Sequence, residues 1–125
     1  MTPTRPADRA LARRRLAKAE EFWEAAETLA GDPGFMNAYT AQLVLSGIAA
    51  ADVLCAAKLG LYAPTGDHSE AVALLRRVEP ALAGNLSKLL AAKTRAEYSG
   101  QFMKTTEMTG LRRAAEALLN AARIA

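Results

Sequence analysis

The sequence predicts an all-α fold, a single domain over residues 1–125 built as an antiparallel up-and-down bundle of four to five helices. Three observations carry this. The chain holds 29 Ala and 17 Leu against 4 Val and 2 Ile, so its apolar content lies in strong helix formers and hardly in the β-branched residues that sheets favour. Apolar residues recur at three- and four-residue spacing over long stretches. Gly and Pro signals divide the chain into five such stretches, with no internal repeat and no low-complexity segment.

The first helix is expected over residues 6–30, with Pro6 near the first helical position and Gly31 as the stop. Its apolar stripe is Leu16, Ala19, Phe22, Trp23, Ala26 and Leu29. Asp32 before Pro33 reads as an N-cap ahead of a ring-fixed φ, opening a second helix over 33–59 that Gly60 ends in the left-handed conformation. That helix is apolar on nearly every side, which places it at the centre of the bundle. Its alanines and Gly47 let neighbouring backbones approach closely. After Ala63-Pro64-Thr65-Gly66, Asp67 with Glu70 three positions on resembles a capping box, starting a short third helix over 67–78 with Ala71, Leu74, Leu75 and Val78 inward. Pro80 separates it from a fourth helix over 81–98, whose stripe Leu82, Leu86, Leu89, Leu90 continues into Lys93. Ser99-Gly100 breaks the pattern. The fifth helix, over 106–124, buries Met108, Leu111, Ala115, Leu118 and Ala122.

Two polar residues stand where core residues belong. Asp52 projects from the apolar second helix beside Ile48, Leu45, Cys55 and Ala56, and a carboxylate there needs a partner. Lys93 extends a leucine stripe and precedes Glu97 by one helical turn. An intrahelical or interhelical ion pair that fixes register satisfies both; a ligand site built on them is the functional reading. His68, at the start of the third helix, either caps that helix or meets an acidic ligand. Cys55 reads as a small buried hydrophobe, since no base lies near it in sequence.

The net charge of +3 is an average of two unlike parts. Residues 1–20 carry six basic and two acidic side chains, whereas residues 21–125 carry ten and eleven. On a helix, Arg5, Arg9 and Arg13 form one row and Arg14 with Lys18 another, a basic patch able to hold phosphates or an acidic partner, or else a solvated face. No aromatic residue interleaves with these cations to stack bases. One Cys and one His exclude a disulfide framework and a thiol-based metal cluster, and no cofactor is expected. Gln42, Ser46, Asp52 and Lys58 interrupt the longest apolar stretch, so no membrane span is expected; the basic start lacks the apolar region of a signal peptide, so a cytoplasmic location is expected.

Phe22-Trp23-Glu24-Ala25-Ala26, Ser46-Gly47-Ile48-Ala49-Ala50-Ala51-Asp52, the stretch from His68 to Leu75, and above all Leu89-Leu90 followed by Lys93-Thr94-Arg95-Ala96-Glu97-Tyr98 resemble the HEPN family, over most of the chain. The last stretch is similar to the basic-x-x-Ala-acidic-Tyr ending of many HEPN domains. The resemblance implies an up-and-down bundle that dimerises, working beside a nucleotidyltransferase in toxin–antitoxin or phage-defence settings. Catalytic members carry an Arg, four to six residues, then a His; here Arg95 is followed at those distances by Gly100, Gln101 and Phe102, and His68 is preceded by Leu61, Tyr62 and Ala63. Lys93 and Arg95 would stabilise a phosphate and Tyr98 would donate a hydrogen bond, but the general base is missing. The leading expectation is therefore a non-catalytic HEPN-like module that binds a partner protein, a nucleotide or RNA, and forms a homodimer. A divergent HEPN ribonuclease toxin is the alternative, and a purely structural interaction bundle the third reading.

Overall fold

The structure, a computed structural model, describes residues 4–64, 68–97 and 103–125. Its helices are α1 (Arg9–Leu29), α2 (Met36–Leu59), α3 (His68–Arg76), α4 (Pro80–Glu97) and α5 (Thr105–Arg123). A two-residue antiparallel pairing of β1 (Arg5–Pro6) with β2 (Leu61–Tyr62) accompanies them. The all-α bundle expected from composition is thus present.

The start of α1 differs from the expectation at Pro6. Asp8, in extended conformation, accepts from the backbone N–H of Leu11 at 2.8 Å and caps the helix, so the helix begins at Arg9. Pro6 instead lies in β1, and Ala7 donates to the carbonyl of Gly60 at 2.9 Å. The carboxylate acceptor at position 8 outweighs the ring-fixed φ at position 6, and a residue preceding proline is itself pushed toward extended backbone. Arg5 therefore does not continue the helical row of Arg9 and Arg13.

At its other end α1 leaves the helix at Ala30, and Gly31 takes φ +81°, the left-handed conformation that glycine adopts without steric cost. Asp32 then accepts from Gly34 at 2.9 Å and caps a single 3₁₀ turn, Pro33–Phe35, that feeds into α2. Gly60, at φ +65°, closes α2 with its N–H on the carbonyl of Ala56 at 3.0 Å. Pro80 is the first residue of α4 rather than a spacer before it, a position where its missing N–H costs nothing. The Asp67 capping box lies outside the described residues.

Pairings between helices fix their directions. Arg15 meets Asp52 while Ser46 reaches Ala19, so α1 and α2 run antiparallel. Lys58 meets Glu79 while Leu89 packs on Gly47, so α4 opposes α2. Arg123 meets Glu20 while Arg112 meets Glu27, so α5 opposes α1. The short α3 packs on α4 and α2.

Helix α2 is the centre. Leu43, Val44, Ala49, Ala50 and Leu54 are fully or almost fully buried against Ala19, Leu75, Leu86, Leu89 and Leu118 from the surrounding helices. Residues 33–59 are, by length and composition, long and apolar enough to cross a membrane, which corrects the expectation that the polar interruptions forbid it. Most of that stretch is buried inside the bundle, as an all-round apolar core helix is.

Candidate functional site

The anomalous carboxylate of Asp52 has found its partner on α1. Arg15 donates from Nε to Oδ2 at 2.9 Å and its Nη2 lies 2.9 Å from the same oxygen. Asp52 is only 7% exposed, and burial pushes its pKa up to about 6 although Arg15 pulls the other way. Burial, reinforced by the Asp52 charge, raises the Cys55 thiol to about 12, so it carries no thiolate at neutral pH and is not a nucleophile.

Lys93 and Arg95 are also committed within the bundle. Lys93 donates to Glu97 at 2.7 Å, one turn further along α4. Arg95 grips Glu107 with both prongs of its guanidinium, Nη2 to Oε1 at 2.7 Å and Nη1 to Oε2, tying α4 to α5. That grip raises the pKa of Arg95 and lowers that of Glu107. His68 is the first residue of α3 and half-buried, and Tyr98 lies outside the described residues. The polar set is thus dispersed: Asp52 is held by α1, Lys93 by its own helix and Arg95 by α5.

The basic patch is organised differently. Arg5, Arg9, Arg13, Arg14 and Lys18 are all exposed, and none makes an ion pair or side-chain hydrogen bond among the described residues. Arg9 and Arg13 rim a cavity of about 590 Å³ at the end of the bundle where α1 begins and α2 and α5 finish. Its floor is apolar, with Leu16, Val53, Ala56 and Ala122, and Arg123 stands on its far side, itself gripped by Glu20 at 2.6 and 3.0 Å. Arg14 faces the other flank, beside Leu11 and Tyr62. An anion entering the cavity meets two uncommitted guanidinium groups over an apolar surface, with one carboxylate, Asp8, also on the wall and accepting from the Leu11 N–H.

A second polar cluster, absent from the expectations, lies near the opposite end. Arg112 of α5 stacks over the Trp23 ring, 4.8 Å from its centre, pairs with Glu27, and donates to the Tyr39 hydroxyl at 3.3 Å. Glu27, and after it Tyr39, hold its pKa above the ordinary arginine value. Helical spacing signals it: Arg112 lies four residues after Met108 and three before Ala115, on the edge of the apolar stripe, just as Lys93 extends the stripe of α4.

The chain matches no protein-family model and no curated protein.

Proposed function

We propose that the protein is a non-catalytic helical binding module whose basic face, Arg9, Arg13, Arg14 and Lys18 with Arg5 beside them, holds the phosphates of RNA or of a nucleotide. The observation that carries this is where the unpaired cations gather. Arg15, Lys58, Lys93, Arg95, Arg112 and Arg123 are each paired with a carboxylate. Arg76, Arg77, Lys88, Lys104 and Arg113 are exposed without an ion pair among the described residues but scattered along the chain from α3 onward. The five cations of the basic face, equally exposed and unpaired, fall within fourteen residues that hold Asp8 as their one carboxylate. Exposed arginines without carboxylate partners supply a sequence-independent attraction to phosphate. The HEPN resemblance supports the same reading and extends it to a cytoplasmic homodimer acting beside a nucleotidyltransferase in a toxin–antitoxin or defence setting.

The ribonuclease alternative needs Lys93 and Arg95 as electrostatic catalysts. Both are committed to carboxylates, which supports the non-catalytic reading.

The test is a binding titration with a labelled single-stranded RNA and with ATP, on the wild type and on a variant carrying Arg9→Ala, Arg13→Ala, Arg14→Ala and Lys18→Ala. Alanine keeps the helix intact, so the variant retains its fold. Binding that falls at least tenfold in the variant supports the proposal. Failure of the wild type to bind either probe, or equal binding by the variant, overturns it, and the structural-bundle reading then stands.

A further inference from the structure

At the end of the bundle opposite the basic cavity, the close of α1, the turn into α2 and the first turns of α5 surround a second cavity, of about 410 Å³. Its volume lies in the range of small-molecule sites, and its walls are those of one: mostly apolar, with a few polar groups converging. Leu29, Met36 and Met108 form the apolar part. The two methionines have unbranched, adaptable side chains that fit around varied apolar bodies.

The polar groups are of two opposite kinds. On the α5 side stands Arg112, whose Nη1 serves Glu27 and Tyr39; neither its Nε nor its Nη2 makes a hydrogen bond among the described residues. Its stacking on Trp23 and its bonds to Glu27 and Tyr39 hold the guanidinium in place before any ligand arrives. Tyr39 accepts from Arg112, which leaves its own proton for an acceptor in the cavity. Two acceptors line the same cavity, Asp32 in the turn before α2 and Thr109 on α5 itself, one turn before Arg112. Asp32 uses Oδ1 to cap Gly34 and keeps Oδ2, and Thr109 donates to the carbonyl of Thr105, leaving its oxygen able to accept.

We propose that this cavity binds a small zwitterion with an apolar side chain, the chemistry of a hydrophobic amino acid. Its carboxylate meets Arg112 and the Tyr39 hydroxyl, its ammonium meets Asp32 and Thr109, and its side chain lies among Leu29, Met36 and Met108. The charges select this class. Glu27 already balances the charge of Arg112, so what the guanidinium offers is its Nε and Nη2 donors. A simple anion taking them leaves its charge beside Asp32 unanswered, a simple amine beside Asp32 leaves those donors unused, and a ligand carrying both signs satisfies both. The site is separate from the basic face and rests on none of its residues.

The experiment uses L-leucine, L-methionine and L-phenylalanine as probes, with 4-methylpentanoate as the carboxylate-only control and 3-methylbutylamine as the amine-only control. Heat of binding is measured by calorimetry and the location is mapped by NMR. At least one amino acid is expected to bind saturably, with shifts at Met36, Tyr39, Met108 and Thr109, and more tightly than either control. Asp32→Asn is the decisive variant, since asparagine caps as well as aspartate but carries no charge, so the fold is kept while the ammonium loses its counter-charge. It is expected to weaken binding about tenfold or more. Arg112→Met is expected to do the same, with its helical content checked alongside. Three results overturn the proposal: no saturable binding of any probe up to about 10 mM, far weaker than a working site; a control that binds as tightly as the amino acids; or unchanged affinity in Asp32→Asn. Because Arg9 and Arg13 are untouched, RNA binding by these variants stays at the wild-type level whichever way this test falls.

Discussion

Asp52 shows how a single side chain sets a measurable property of the fold. Its pKa in the folded protein, about 6, lies above its ordinary value of 3.8, so the folded state holds this proton more tightly than the unfolded chain does. The stabilisation from that proton is complete below the ordinary value and is lost as pH rises through about 6. About 2 pKa units correspond to about 3 kcal/mol in all, of which about 1 kcal/mol falls between roughly pH 5 and pH 7.5. Urea unfolding at those two pH values should therefore show the wild type gaining about 1 kcal/mol at the lower pH relative to Asp52→Asn, whose residue 52 does not titrate. An identical pH slope in both proteins contradicts the assignment. Cys55 provides a companion check: with its thiol pushed up to about 12 and buried, it should resist alkylation at about pH 8 until the protein is unfolded. The sequence made Asp52 conspicuous, because a carboxylate on an apolar helix demands a partner. It did not single out Arg15 among Arg13, Arg14 and Arg15, although Arg15 lies four residues before buried Ala19 and so turns inward where its neighbours do not.

Among the elements, α2 depends most on close approach. A Cβ on Gly47 would stand 2.4 Å from Cδ1 of Leu89 and 3.4 Å from Cδ1 of Leu118, and both leucines are completely buried. Gly47→Ala gains about 1 kcal/mol of helix propensity. It forces a fully buried leucine on α4 to shift, at a cost of about 2 kcal/mol. The packing term is the larger, so the variant should be destabilised by about 1 kcal/mol, read from the urea midpoint. A stabilised variant would mean that α2 and α4 do not touch there. The helices were legible because alanine, leucine and the glycine and proline stops agree with one another. The β1–β2 pairing was not, since two residues on each side leave no periodicity to read, and the start of α1 was misplaced because Asp8 competes with Pro6 for the same role. The polar cluster around Arg112 joins three helices, and only its helical spacing hinted at it.

Across the whole molecule, charge is segregated by how it is used. Among the described residues, six ion pairs hold elements together or brace a single helix, and they take up Lys93 and Arg95; of the cations outside these pairs, the largest group in one stretch is the solvent-facing row at the start of α1. The two cavities lie at opposite ends of the layer formed by α1, α2 and α5, one rimmed by cations over an alanine-rich floor, the other apolar with opposed charges. The basic patch was legible as a charge asymmetry along the chain, while its cavity was not, because the floor comes from the distant ends of α2 and α5. The central claim is that the basic face engages phosphate, and the salt dependence of RNA affinity tests it most directly. If Arg9, Arg13, Arg14 and Lys18 each neutralise a phosphate, log K against log salt concentration should fall with a slope of about −3 for single-stranded RNA, and each alanine substitution should make that slope shallower by somewhat under one. An RNA affinity that does not change with salt, or a slope that the four substitutions leave unchanged, would contradict the account.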